Sequence, residues 1–346
     1  MAETMENKNF TVKKYFNIEQ IKDCFKYFEN YSYPFQNYIV LKYISSLRFR
    51  LKNIIRSKFK ILNHYIFYVI YNSDNLPVMI VPLQRMPKSK KDIEVLGSAV
   101  LGANVLEYVD VIYNPAEENN VRTAFDLLFA ELKKEGFEKL YFRNIPESLS
   151  YKILKEYKNF CYLRSVESTY FNCSNWDEYL SGLSKNQKRN IKKAYNKLKR
   201  DNKSFSLVTT KSKTLCDECL KVYLKRQASK YGAGLKRLLS FKYFHYISQC
   251  ALTDISVTFA FVIQKEVAAF MTGLIDPTRN RVEIVRIAVN DKYSFYSSGI
   301  LLIYETVKYL TENSDYEKLD FCTGVLRYKK EMGGVIYYKH DFYVRL

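Results

Sequence analysis

Val282-Glu283-Ile284-Val285-Arg286-Ile287-Ala288-Val289 reads as a strand, and the small-residue turn Tyr293-Ser294-Phe295-Tyr296-Ser297-Ser298-Gly299 follows it. The turn leads straight into the apolar opening of a helix, Ile300-Leu301-Leu302-Ile303-Tyr304-Glu305, over residues 299–311. A second strand, Glu317-Lys318-Leu319-Asp320-Phe321, closes the unit. Strand, crossover helix and strand make a right-handed βαβ unit with parallel strands. Small residues with one glycine let backbone N–H groups approach a ligand, and the helix N-terminus adds partial positive charge. Ser297, Ser298 and Gly299 therefore form a candidate pyrophosphate seat.

The same order occurs earlier in the chain. Leu106-Glu107-Tyr108-Val109-Asp110-Val111-Ile112-Tyr113 precedes an amphipathic helix over residues 121–134 and the strand Glu138-Lys139-Leu140-Tyr141-Phe142. The word Glu-Lys-Leu-x-Phe recurs at an offset of 318 − 139 = 179 residues. The expected architecture is two related α/β halves in tandem, residues 1–170 and 171–346, with mixed sheets and flanking helices. In the first half the turn before the helix reads Asn114-Pro115-Ala116-Glu117-Glu118-Asn119-Asn120, with two carboxylates and no glycine. Anion binding is opposed there, so only the second half keeps a phosphate-binding turn.

Composition bounds the chemistry. The 346 residues are 47% apolar, enough for one large or two ordinary cores. No apolar run approaches the length of a membrane span, and the opening residues MAETMENKNFTVKKYF lack a signal-peptide core, so the expected location is cytoplasmic. Seven cysteines, an odd number, fit reduced thiols better than a disulfide framework. Cys216-Asp217-Glu218-Cys219 is a lone CxxC without a second pair, and the three histidines stand apart. A zinc site needs four spaced N or S ligands, so no metal is expected, and histidine-based triads are disfavoured.

Lysine and arginine exceed aspartate and glutamate by 55 − 36 = 19, a surplus that favours anionic partners without choosing among them. It is densest in Leu183-Ser184-Lys185-Asn186-Gln187-Lys188-Arg189-Asn190-Ile191-Lys192-Lys193-Ala194-Tyr195-Asn196-Lys197-Leu198-Lys199-Arg200, within a basic helix placed at residues 184–203. At 100° per residue, Leu183, Gln187, Ile191, Ala194, Tyr195 and Leu198 share one arc and the cations cover the other. Ser184 is the expected N-cap. No zinc-finger or RNA-recognition signature accompanies the helix, so DNA is not an expected partner. Its apolar face lacks Trp and Phe, so no membrane-lying helix is expected, although peripheral contact stays open.

Further on, Leu319-Asp320-Phe321-Cys322-Thr323-Gly324-Val325-Leu326-Arg327-Tyr328-Lys329-Lys330-Glu331-Met332-Gly333-Gly334 reads as a strand end carrying Asp320, a turn at Gly324 and a helix presenting Tyr328 and Lys329. A final strand follows over residues 335–346. Here the chain resembles the GNAT acyltransferase superfamily, in its double-domain branch of CelD-like acyltransferases and Fem-type aminoacyltransferases. The resemblance rests on Ser298-Gly299-Ile300-Leu301-Leu302, Asp320-Phe321-x-x-Gly324 and Tyr328-Lys329-x-x-Met332-Gly333. The paired halves, Pro82-Leu83 after a strand, and the pattern Lys185, Arg189, Ile191, Ala194 add to it. The superfamily turn carries more glycines than Ser297-Ser298-Gly299, and Met332 stands where the Fem-type pattern has an aromatic residue.

The resemblance implies two GNAT-like halves, with a V-shaped splay between two parallel strands of the second. A donor's pantetheine arm would lie in the splay, with its pyrophosphate on Ser297, Ser298 and Gly299 flanked by Val289 and Ile300. The implied activity is transfer of an acyl group from acyl-CoA (acetyl-CoA or longer), the co-substrate, to an amine or hydroxyl. By family analogy the acceptor is a sugar or cell-envelope precursor. Lys329 would stabilise the oxyanion, Tyr328 would protonate the leaving thiolate, and Asp320 would take or orient the acceptor's proton. Glu283 and Arg286 stand in reserve. Each candidate also has a plain reading: a solvent-facing Lys329, a packed Tyr328, and an Asp320 that caps its own turn. Two other readings are carried forward. One is a Fem-type aminoacyl-tRNA-dependent transferase with the basic helix on the tRNA backbone; the other is a non-catalytic protein that binds nucleic acid or an anionic surface.

Overall fold

Tyr65–Tyr71, with the sequence YIFYVIY, is buried at every residue, as a strand covered on both faces must be. It sits in a chain whose computed structural model describes residues 10–42, 65–86, 89–96, 108, 110–210, 213–231 and 255–346. The described chain divides into two compact units, Met1–Val166 with Tyr338–Leu346, and Glu167–Tyr337.

The first unit contains β1 (Thr11–Tyr15), β2 (Tyr65–Tyr71), β3 (Pro77–Arg85), β4 (Asp92–Val95), β5 (Ile112–Tyr113), α1 (Glu118–Lys134), β6 (Lys139–Ile145), α2 (Leu149–Lys155) and the start of β7 (Phe160–Asn172). β1 through β4 form an antiparallel meander, and β6 then runs parallel to β4 with Asp92 opposite Lys139. The parallel partner of β6 is thus β4, not the expected strand over residues 106–113. Residues 106, 107 and 109 of the latter lie outside the described residues. Its described end, β5, pairs with β3 and stops before Asn114-Pro115, where proline has no N–H to continue a ladder. Pro82 and Leu83, expected after a strand, lie within β3; proline has no N–H to give, and Pro82 uses its carbonyl to accept Leu96 N at 2.7 Å.

The second unit contains the rest of β7, then α3 (Trp176–Gly182), α4 (Lys185–Arg200), β8 (Phe205–Thr210), α5 (Lys213–Tyr231), β9 (Ser256–Ile263), β10 (Glu266–Asp276), β11 (Arg281–Val289), α6 (Ser298–Asn313), β12 (Lys318–Thr323) and α7 (Arg327–Glu331). β8 through β11 are antiparallel neighbours, and β12 joins β11 in parallel. This repeats the order of the first unit, so the duplication is visible in topology as well as in sequence.

The sixth strand of each sheet is exchanged. The neighbour of β6 is not β7, which follows α2, but the chain's last strand, β13 (Val335–Arg345), antiparallel with Phe342 opposite Phe142. The neighbour of β12 is β7, with Leu319 opposite Phe171.

The basic helix forms as its periodicity requires. α4 buries Gln187, Ile191, Ala194 and Leu198, and Ser184 caps it by accepting Gln187 N at 3.1 Å. Lys185, Lys188, Arg189, Lys192, Lys193 and Lys199 face solvent. Two cations of the charged arc have local partners. Lys197 Nζ donates to Phe295 O at 2.9 Å and lies 4.1 Å from that ring's centre, and Arg200 pairs with Asp201.

Candidate active site

β11 and β12 pair only at Arg281, Val282 and Glu283, opposite Lys318, Leu319 and Asp320. Beyond that apex β11 continues to Val289 along β10 alone, while β12 runs on to Thr323. The parallel strands therefore splay, and among the described residues no strand pairs with the edge of β11 turned toward β12 beyond that point. A bulge in β11 at Val285, where the register with β10 shifts between Thr272 and Gly273, accompanies the opening. Gly273 is required there, because a Cβ would sit 2.8 Å from the Glu283 carbonyl oxygen.

The turn above β11 reaches α6 through a short 3-10 helix, Asp291–Tyr296, and Ser297 in the left-handed conformation at φ 53°. Tyr296 donates to Asp201 at 2.9 Å, and Lys197 holds the Phe295 carbonyl, so the end of α4 braces this turn. Ser298 is fully buried and its hydroxyl donates to Ala268 O at 3.2 Å, which removes that hydroxyl from ligand contact. The amide of Ile300 is spent on Ser297 O at 2.9 Å. The N–H groups of Ser298 and Gly299 have no acceptor among the described residues. Of the sequence candidates Val289, Ser297, Ser298, Gly299 and Ile300, it is thus two backbone amides that stay open, at the positive end of a sixteen-residue helix. Val289 packs under them: a Cβ on Gly299 would lie 2.8 Å from its Cγ2. At the matching place in the first unit, Glu117 accepts Asn114 Nδ2 and Asn120 Nδ2, both at 2.9 Å, beside the start of α1. A carboxylate stands there where α6 offers amides.

Asp320, Tyr328 and Lys329 are distributed differently from any solvent-facing reading. Lys329 is 4% exposed, and its ammonium donates to the carbonyls of Phe321 at 3.0 Å and Gly324 at 2.6 Å, with Thr323 at 3.5 Å. These carbonyls belong to the stretch where the ladder with β11 has ended, and a buried backbone group must find a partner. Lys329 supplies it. Tyr328 packs against the core, its hydroxyl has no hydrogen-bond partner among the described residues, and burial pushes its phenol up, keeping it protonated. Asp320 is buried; it accepts Tyr337 Oη at 2.9 Å on both oxygens and Cys322 N at 2.7 Å, the turn-capping role.

The apex holds a charge cluster that sequence reasoning only touched. Arg281 lies 3.3 Å from Asp276, 2.9 Å from Glu283 and 3.7 Å from Asp320, and Arg279 meets Asp276 at 3.1 Å. Arg279, Arg281, Asp276 and Tyr337 were not among the candidates; the polar run Asp276-Pro277-Thr278-Arg279-Asn280-Arg281 between two strands was the available signal. Arg286, held in reserve, turns back to its neighbour's carbonyl, Val285 O. Glu283 is fully buried, and among the described residues neither carboxyl oxygen meets a hydrogen-bond donor in bonding geometry, although Arg281 lies 2.9 Å away. Burial pushes its pKa up to about 8, opposed by Arg281 and assisted by Asp276 and Asp320. At neutral pH Glu283 keeps its proton and so adds no negative charge beside Asp276, Asp320, Arg279 and Arg281.

This proton has a measurable consequence. The native state holds it while the unfolded chain releases it above the ordinary value of 4.5, so Glu283's stability contribution is full below 4.5 and is lost as pH rises through about 8. The slope is about 1.4 kcal/mol per pH unit. Glu283→Gln, which never ionises, is expected to gain melting temperature relative to wild type between pH 5 and pH 8. An unchanged difference across that range, measured by calorimetry, contradicts the buried-proton assignment.

Residues 185–330 match the family described as Acetyltransferase (GNAT) domain. Among solved structures the fold is similar to FemX, at 10% identity over 96% of this chain and 97% of that one, TM-score 0.57. It is also similar to a conserved protein of unknown function from Bacteroides thetaiotaomicron, at 12% identity, 82% and 86% coverage and TM-score 0.53. A third is the C-terminal domain of a putative lysylphosphatidylglycerol synthetase from Agrobacterium fabrum, at 10%, 81% and 84%, TM-score 0.50. No curated protein matches the chain. Residues 185–330 thus match a GNAT acetyltransferase domain, and the chain shares its fold with FemX. Among the described residues no cluster of His, Cys, Asp or Glu is arranged to hold a metal ion, and no helix is long and apolar enough to cross a membrane.

Proposed function

We propose that the second unit transfers an acyl group from acyl-CoA to an amine or hydroxyl of an acceptor. The observation that carries this reading is the open edge of β11 leading to the two free amides at the start of α6. An extended pantetheine arm pairs with such an edge as an added strand does, and a diphosphate is the natural ligand of the amides. In the reaction the acceptor's N or O bonds to the acyl carbon and gives its proton to solvent. The C–S bond breaks, and the thiolate takes a proton from a donor that solvent then reprotonates. Tyr328, protonated and half-buried on the helix that follows β12, is the proposed donor of that proton. Lys329 acts by holding the carbonyls of residues 321–324 in place, and Asp320 with Tyr337 fixes the apex. Superfamily analogy puts the acceptor among sugars or cell-envelope precursors.

The test is native mass spectrometry with acetyl-CoA, longer acyl-CoAs and charged tRNA. Binding of a CoA species followed by thioester consumption supports the reading; no response to any thioester overturns it.

The exposed cations of α4 favour one alternative, a donor that is an aminoacyl-tRNA. Binding through several phosphates weakens steeply with salt. Under that alternative, replacing Lys188, Lys192, Lys193 and Lys199 by Ala lowers the slope of log affinity for charged tRNA against log salt by about one per lysine. For acyl-CoA transfer the same variant is expected to keep wild-type CoA affinity within about twofold, since those side chains lie outside the proposed seat. A matching tenfold loss of CoA affinity would argue against the separation of the two surfaces.

A further inference from the structure

On the face of the sheet that carries α5, a concavity of about 160 Å³ opens beside the end of β11. Lys221, Lys225 and Arg226 of α5 line one side, and Asn290 and Asp291 line the other. Lys221 and Lys225 are four residues apart on one helix face and exposed, and neither has an acidic partner among the described residues. Arg226 meets Asp291 at 2.9 Å, which neutralises the one carboxylate that lines the concavity among the described residues. Three cations against one carboxylate leave a surplus of two positive charges.

The floor is fixed rather than adaptable. Asn290 donates its side-chain amide to Val267 O at 3.2 Å, accepts Lys292 N at 3.2 Å, and gives its own N–H to Ala268 O at 2.9 Å. The same Ala268 carbonyl takes the Ser298 hydroxyl, so the concavity and the amide turn share an anchor. They share a wall as well, because Val289 lines the concavity and packs against Gly299.

We infer that this concavity seats a phosphate monoester, the 3′-phosphate of the donor coenzyme, as a second anion site beside the diphosphate seat. The inference rests on the acyl-CoA reading. A monoester carries about −1.5 to −2 charge at neutral pH, which matches the surplus, whereas each phosphodiester of an RNA chain carries one charge. Coenzyme A bears two separate anionic groups, a diphosphate and a 3′-monoester, and the surface next to Val289 offers two separate seats.

Isothermal titration of the full chain with CoA and with 3′-dephospho-CoA tests it. Wild type is expected to bind CoA at least tenfold more tightly than dephospho-CoA. Lys221→Ala with Lys225→Ala lowers CoA affinity to the dephospho-CoA level and leaves dephospho-CoA binding unchanged; Lys221→Glu with Lys225→Glu lowers it further. Both lysines are exposed, so the variants keep the wild-type melting temperature, which is measured alongside. Equal wild-type affinity for the two ligands, or equal losses for both in the variants, overturns the second seat while leaving acyl-CoA binding in place. Failure of wild type to bind either ligand overturns the acyl-CoA reading, and this inference with it.

Discussion

Gly299→Asp is expected to abolish donor binding while leaving the fold intact. The new carboxylate would stand beside the free N–H groups of Ser298 and Gly299, where the helix end welcomes negative charge, so α6 itself gains slightly. The helix's gain is the ligand's loss, because the carboxylate occupies the amides and repels a diphosphate. Affinity for acetyl-CoA should fall at least a hundredfold, about 2.8 kcal/mol at 1.4 kcal/mol per decade. Gly299→Ala separates charge from bulk. Its Cβ meets only Val289 Cγ2 at 2.8 Å, the end of a side chain that can shift, so a loss of a few-fold is expected. Titration calorimetry on the three proteins decides it. Wild-type affinity in the Asp variant would remove the start of α6 from the donor site.

Lys329→Met is expected to act mainly on stability. Removing the ammonium leaves the carbonyls of Phe321 and Gly324 unpaired inside the protein, with Thr323 beside them. Hydrogen bonds to charged groups contribute about 1.5–3 kcal/mol each and do not add fully, so a loss of about 3–5 kcal/mol is reasonable. It should appear as an earlier urea transition and a lower melting temperature, with activity falling in parallel. A variant with wild-type stability and no activity would reverse the assignment. Lys329 would then act on the acyl group rather than on the strand end.

The helices were legible because their causes are local. α4 shows its apolar arc and Ser184 cap within one window, and the observed span Lys185–Arg200 falls inside the expected one. α6 and its turn were legible for the same reason. The chemistry of individual side chains at the turn was not. Ser298 looks like a ligand contact in sequence, yet Ala268, thirty residues earlier, claims its hydroxyl. Lys329 beside Lys330 reads as a solvated pair, yet one of them turns inward because β12 has left its partner strand. Glu283 gave no hint of its depth, since full burial depends on what β10 and β12 place around it.

The sequence alone was enough to read a basic chain, the βαβ unit of the second half, a turn of small residues there with carboxylates at the matching place in the first half, and the superfamily those motifs resemble. These are properties of composition and of periodicities of two to four residues, which any short window carries. The first half's parallel strand was misplaced, since β4 and not residues 106–113 pairs with β6. The tertiary structure decided that β13 lies beside β6 and β7 beside β12, where β11 and β12 part, and which charges gather at that apex. It also brought Lys221 and Lys225 up to Val289, more than sixty residues along the chain. Strand pairing and the burial of charge are settled by partners distant in sequence. Their energies depend on separations of a few ångströms that no local pattern encodes.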